Sequence, residues 1–151
     1  MLTKHQIQDY NKNGFIVIEE LLSKNEIRQT RDIIDQFIEK SRGIKESDNI
    51  FDLEDNHSKN NPRLTRIKQP HLINNHFFNL IKNSQITKAL KDLLGNNILL
   101  KSSKLNTKFE KGGSAVEWHQ DWAFYPHTND DVLAVGAVSY THLTLPTRST
   151  V

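Results

Sequence analysis

The sequence predicts an α+β domain that turns mainly β in its second half, and three observations carry that assignment. Two capping signatures open helical stretches near the start, a β-branched run follows the first of them, and strict alternation sets in after residue 97. Thr3-x-x-Gln6 and Ser23-x-x-Glu26 both have capping-box form, in which a hydroxyl and an amide or carboxylate close the free N–H groups of a helix start. The first helix should stop near Asn13-Gly14, and Phe15-Ile16-Val17-Ile18 then suits a buried strand. The second carries Ile27, Ile33, Ile34, Phe37 and Ile38 as one apolar stripe and should run out by Gly43. From Lys45 to Pro62 the chain is polar and reads as a long surface loop.

Arg63 to Lys68 suits a strand that stops before Pro70. Phe77, Phe78, Leu80 and Ile81 mark a short helix, and Ser84 caps another whose inward positions are Ile86, Leu90, Leu93 and Leu94, with Gly95 as its stop. Ile98 to Phe109 alternates as a long strand, with Leu99, Lys101, Ser103, Leu105, Thr107 and Phe109 on one face and Lys104, Asn106 and Lys108 on the other. A Gly112-Gly113 turn, the stretch Val116 to Asp121 and an apolar strand Val132 to Val135 complete the pattern.

A chain of 151 residues suits one domain and can bury a core without covalent staples. Zero cysteines exclude disulfides, thiol catalysis and Cys-based metal sites, which leaves His, Asp and Glu for any metal chemistry. Lys+Arg 20 against Asp+Glu 18, mixed along the chain, gives no electrostatic footprint for nucleic acid. No stretch has the length and apolarity of a bilayer span, and the start lacks a signal-peptide pattern, so the expectation is a soluble, unexported, cytoplasmic protein.

Val138 to Val151 stands apart. Its first residues, VSYTHLTLPT, are what the DNA string GTC TCT TAT ACA CAT CTG ACG CTG CCG ACG encodes, and that string resembles the transposon end and adapter of tagmented sequencing libraries. The expectation is that residues 138–151 are adapter read-through and that residues 1–137 are the N-terminal part of one domain. The pattern alone also fits an alternating strand closed by Pro146.

His119 and Asp121 are the chemical centre of the sequence. Residues i and i+2 of an extended chain project to one face, so an imidazole and a carboxylate can reach one ion while Gln120 points away. This is two thirds of the 2-His-1-carboxylate triad that holds Fe(II) and leaves open positions for other ligands. With 7 His and 18 acids, chance alone supplies about one His-x-acid pattern, so the spacing by itself also fits a turn histidine beside a solvated acid. His127 is a third donor by position, but the turn beyond Pro126 suits an exposed histidine better, and His5, His57, His71 and His76 lack ligand spacing.

Leu2-Thr3, then Gly14-Phe15-Ile16-Val17, and above all Trp118-His119-Gln120-Asp121-Trp122-Ala123-Phe124-Tyr125-Pro126 followed by Asp130-Asp131, resemble the phytanoyl-CoA dioxygenase family of Fe(II)- and 2-oxoglutarate-dependent oxygenases. The resemblance covers most of residues 1–137. It implies a truncated double-stranded β-helix, a cupin-like jelly roll with the N-terminal helices packed outside, and it implies His119 and Asp121 as iron ligands. Lys68 sits where similar proteins place a basic residue that helps hold 2-oxoglutarate. Lys104 and Asn106, on the strand that would border the pocket, join it as cosubstrate-binding candidates; their face of that strand lines either cavity or solvent. Trp118, Trp122, Phe124 and Tyr125 either shape a substrate mouth or pack.

The family's second iron-binding histidine and its 2-oxoglutarate-binding arginine lie on strands well downstream of the first motif, and His142 is too close to serve. The activity implied is hydroxylation of a small-molecule C–H bond with O₂ by the parent protein, the 151-residue chain itself being inactive. A cupin-like metal enzyme without redox chemistry, or a small-molecule binding module in which His119 and Asp121 only hydrogen-bond, are the rival readings. The oligomeric state is open.

Overall fold

The computed structural model describes residues 1–82, 84–109, 113, 115, 117–125, 127–129 and 131–138, with Ser84 by its backbone only. Gly112, Val116, Pro126, Asp130 and residues 139–151 of the adapter-like tail lie outside the described residues. The chain divides into two units, Met1–His119 and Gln120–Val151.

In the first unit, helix α1 (Lys4–Asn13) and helix α2 (Lys24–Ser41) start where the capping boxes put them. The Thr3 hydroxyl accepts from the Gln6 N–H and the Ser23 hydroxyl from the Glu26 N–H, and both boxes are closed reciprocally. Gly14 ends α1 at φ 77°, left-handed backbone that costs a residue without Cβ nothing. Strand β1 (Phe51–Leu53), strand β2 (Leu64–Lys68) and strand β3 (Lys104–Asn106) form an antiparallel sheet in the order β1-β2-β3. Helices α3 (Pro70–Ile73), α4 (Asn75–Ile81) and α5 (Ser84–Leu94) connect β2 to β3. The α+β expectation therefore holds, although helix outweighs strand among the described residues.

Leu64 and Ile67, both fully buried, are three residues apart, an odd spacing that a regular strand would send to opposite faces. A register shift resolves the conflict. Phe51 pairs with Ile67 and Asp52 with Arg66, but Leu53 pairs with Leu64, so Thr65 is an extra residue on β2. The bulge turns Leu64 to the same side as Ile67, where both meet Phe37 of α2 and Phe77 of α4. Phe37 lies edge-on to Phe51 at 6.1 Å and stacked on Phe77 at 6.2 Å. Ile33, Ile34 and Ile38 of the α2 stripe pack around this cluster.

The histidines without ligand spacing fasten these pieces together. Thr30 donates its hydroxyl hydrogen to the Glu26 carbonyl, so His76 must donate its Nε2–H to the Thr30 oxygen at 2.8 Å, tying α4 to α2. His57 reaches the Ser41 carbonyl through Nε2 at 3.1 Å and accepts the Arg63 N–H at Nδ1 at 3.0 Å, anchoring the loop after β1 to the end of α2.

Four expectations are corrected. The loop expected over 45–62 contains β1, a strand too short to announce itself. Residues 15–18 form no strand; Phe15 and Val17 are 62% and 74% exposed, because no described segment pairs with them. The long strand over 98–109 contracts to Lys104–Asn106, the three residues that face β2, although side-chain burial still alternates from Ser103 to Phe109. In the second unit, Asp121–Ala123 is a single 3₁₀ turn and Val132 to Val135 is irregular.

Removing the Ile67 side chain beyond Cβ should cost about 2–5 kcal/mol of unfolding free energy in urea titrations, whereas Lys101→Ala on the exposed approach to β3 should stay within about 0.5 kcal/mol of the parent. A second expectation concerns pH. The Phe51 and Ile50 amides donate to the Asp48 carboxylate at 2.7 Å each and hold it below the ordinary carboxylate range. A carboxyl whose folded-state value is depressed stabilises the fold above its unfolded value of about 3.9 and loses that contribution as pH falls through the folded one. The stability gap between the parent and Asp48→Asn, measured by thermal melts, should be open at pH 6 and close progressively below about pH 4.

Candidate functional site

The sheet has two chemically distinct faces. Ile67 pairs with Leu105 on the core side, which sends the residues flanking them, Arg66, Lys68, Lys104 and Asn106, to the other. The register places Lys68 directly opposite Lys104 and Arg66 directly opposite Asn106. Asp52, paired with Arg66 from β1, joins the same face. The structure thus brings together the three residues expected to hold a cosubstrate, Lys68, Lys104 and Asn106. On β3, Leu105 packs on the core, and Lys104 and Asn106 are exposed.

Charge on this face is unbalanced. Arg66, Lys68 and Lys104 bring three cations; the Asp52 carboxylate lies with Oδ1 2.8 Å from Lys68 Nζ and Oδ2 3.7 Å from Arg66 Nη1, and Asp48 is a second carboxylate that acts on Lys68. Like charges directly opposite on neighbouring strands are destabilising, on the order of a few tenths to 1 kcal/mol. Arg66 adds a second unmet demand, since its Nε is buried without a hydrogen-bond partner. Arg66 and Asp52 are the functional candidates that sequence reasoning missed. Asp52 was hidden in the unrecognised β1, and Arg66 was legible only as the i−2 neighbour of Lys68.

The end of β2 beside Lys68 is fixed tightly. Gln69 has φ 45° and ψ 52°, left-handed backbone for a residue that also precedes a proline, where helical conformations of either hand are disfavoured. Its amide donates to the Ser103 carbonyl at 3.0 Å, and His71 Nδ1 meets the Ser103 hydroxyl at 2.6 Å. These bonds pin the exit of β2 to the entry of β3, one residue from Lys68 and one from Lys104.

His119 closes the first unit and is exposed. Its Nδ1 lies 2.7 Å from the Glu117 carbonyl oxygen, which can only accept, so Nδ1 carries a proton in this contact. A backbone carbonyl on one ring nitrogen is the usual way of orienting an imidazole whose other nitrogen binds a metal. Trp118 beside it is fully exposed and packs in no core.

Asp121, in the second unit, opens the 3₁₀ turn after Gln120, whose backbone is extended at φ −106° and ψ 126°. Its carbonyl accepts the Phe124 and Tyr125 amides at 2.9 and 3.0 Å. Trp122 and Phe124 are 47% and 66% exposed, so they belong to a surface rather than a core. His127, expected to be exposed, is half-buried instead and stands edge-on to Trp122 at 6.4 Å. Among the described residues, no group of three or more His, Asp or Glu side chains is placed to hold a metal ion, and no helix is long and apolar enough to cross a membrane.

Comparison with known proteins identifies relatives of this chain. A family model described as phytanoyl-CoA dioxygenase (PhyH) matches residues 10–144. A "probable alpha-ketoglutarate-dependent hypophosphite dioxygenase" of Stutzerimonas stutzeri is 34% identical over 131 residues, 87% of this chain and 46% of that protein. Ectoine dioxygenases of Nocardia farcinica and Bordetella bronchiseptica are each 21% identical, over 89% and 91% of this chain and 43% and 42% of theirs. The chain spans a little under half the length of these curated relatives.

The His119 geometry has a direct spectroscopic consequence. In long-range ¹H–¹⁵N correlation spectra at a pH where the ring is neutral, His119 should appear as the Nδ1–H tautomer; an Nε2–H pattern would contradict the Glu117 hydrogen bond.

Proposed function

Since the chain belongs to the phytanoyl-CoA dioxygenase family, we propose that it carries the first iron-ligand pair and part of the 2-oxoglutarate cradle of an Fe(II)-dependent dioxygenase acting on a small molecule with O₂. The observation that carries the proposal is the cross-strand pairing of Lys68 with Lys104 beside Arg66 and Asn106. That array is costly alone and is relieved by a dicarboxylate, to which the lysines offer point charges and Asn106 an amide donor.

His119 and Asp121 are the residues that would hold the iron. The donor set fits: an imidazole held at Nδ1 by a backbone carbonyl and a carboxylate two residues on, both donor types suited to Fe(II). When bound, the metal would couple oxidative decarboxylation of 2-oxoglutarate, giving succinate and CO₂, to oxygen insertion into the substrate. The chain's own part is to orient the imidazole through Glu117 and to neutralise the cosubstrate through the sheet face. A double-stranded β-helix, with the polar sheet face turned to its interior, is the architecture this reading implies.

A small-molecule C–H bond is the first substrate class for the parent protein. The relationship to a protein named for hypophosphite favours a second, the P–H bond of a small oxyanion. Neither class changes what the chain must do for iron and 2-oxoglutarate.

Anaerobic Fe(II) titration tests the ligand assignment: His119→Ala should bind about tenfold or more weakly than the parent chain, and equal affinity would remove His119 from the site. Two protein donors hold iron weakly, so the 151-residue chain given Fe(II), 2-oxoglutarate and O₂ should release no stoichiometric succinate. Release at stoichiometric levels would show that the ligand set is more complete than this reading allows.

A further inference from the structure

Asp52 is the carboxylate in contact with Lys68 on the polar sheet face. It is the acidic neighbour of two cations, with a side chain too short to leave the face; its Oδ1 holds the Lys68 ammonium at 2.8 Å and its Oδ2 lies 3.7 Å from Arg66 Nη1. Neither partner is sealed from solvent: the side chains of Lys68 and Asp52 are 35% and 28% exposed. The lysine can therefore exchange partners, swinging on its flexible stem, whereas the aspartate cannot follow it. Asp48 also acts on the Lys68 charge, but the Asp52 carboxylate is the one in direct contact with the ammonium.

We infer that Asp52 is the built-in counterion of the cosubstrate site: its carboxylate holds Lys68 until a 2-oxoglutarate carboxylate displaces it, and so sets how tightly the sheet face takes the dianion. The inference rests on the dioxygenase reading and adds a positioning residue to it. Asp52 touches neither cosubstrate nor metal; it acts through Lys68. The Asp52–Lys68 contact keeps the lysine on the correct face when the site is empty and lowers affinity in return. The Lys68–Lys104 repulsion is also smaller while Asp52 is in place, which gives the pair a role in folding that precedes ligand binding.

The test is calorimetric titration of 2-oxoglutarate into the full 151-residue chain, anaerobically with Fe(II), for the parent, Asp52→Asn, Asp52→Glu and Lys68→Met. Asp52→Asn should bind about two- to fivefold more tightly than the parent, the range a partly exposed ion pair supports. Asp52→Glu, which restores the competing carboxylate, should return towards the parent value, and Lys68→Met should bind more weakly than all of them. In the unsubstituted chain, the ¹³Cγ resonance of Asp52 should move as 2-oxoglutarate is added, because its ammonium partner leaves. This readout needs no variant to fold and a purely structural ion pair would not produce it. Unchanged or weaker binding by Asp52→Asn, or an Asp52 resonance that stays put at saturation, overturns the inference alone, provided the parent binds and Lys68→Met does not match it. Absence of binding by the parent, or equal binding by Lys68→Met, overturns the cosubstrate reading itself and the inference with it.

Discussion

The bulge at Thr65 is the constraint on which the first unit depends. A regular β2 would point Leu64 and Ile67 to opposite sides, and only one could reach Phe37 and Phe77. The extra residue lets both enter the core while the residues after it keep strict alternation. Arg66 and Lys68 are consequently forced onto the far face, together and beside β3. The Thr65 carbonyl is itself used, accepting the Thr107 amide at 3.1 Å, and the Thr107 hydroxyl donates to the Leu64 carbonyl. One insertion thus sets the packing of the apolar side and the charge of the polar side, and neither can be altered without the other.

The helices were legible because their signals are local. A capping box needs four residues, a left-handed glycine one, and an apolar stripe only its own helix, so α1 and α2 and the stop at Gly14 follow from sequence directly. Strands are different, since a strand exists only where another lies alongside it. Residues 15–18 and 98–103 have the texture of strands and lack a partner among the described residues, whereas Phe51–Leu53 has three residues and a partner. Alternation predicted the faces of 103–109 correctly and their pairing poorly, because periodicity reports which side is apolar and not what lies beside it.

The site was legible in the same uneven way. Lys68, Lys104 and Asn106 could be nominated one at a time, the lysine by resemblance and the other two by the face they share. Their convergence depends on the Arg66–Asn106 and Lys68–Lys104 register, which no single segment encodes. Asp52 was out of reach because its role is defined by a neighbour fourteen or more residues away. For His119, the spacing to Asp121 could suggest a ligand, but the Glu117 carbonyl that fixes the ring's protonated nitrogen became visible only in three dimensions.

The polar sheet face breaks several local rules at once, and the breaks have a common direction. Two lysines oppose one another, an arginine keeps a buried Nε without a partner, and a glutamine before proline is held left-handed at the end of the same strand. Arg66, Lys68 and Gln69 fall within four consecutive residues with Lys104 directly opposite, and a surface selected for stability alone has no reason to gather them there when a threonine or glutamate at Lys68 or Lys104 would relieve the repulsion. The first two conflicts are demands for negative charge and for a hydrogen-bond acceptor, and the third locks the strand end that presents them. A small polyanion with acceptor oxygens spaced to meet more than one cation would relieve the first two together, which neither a single carboxylate nor a neutral acceptor can do.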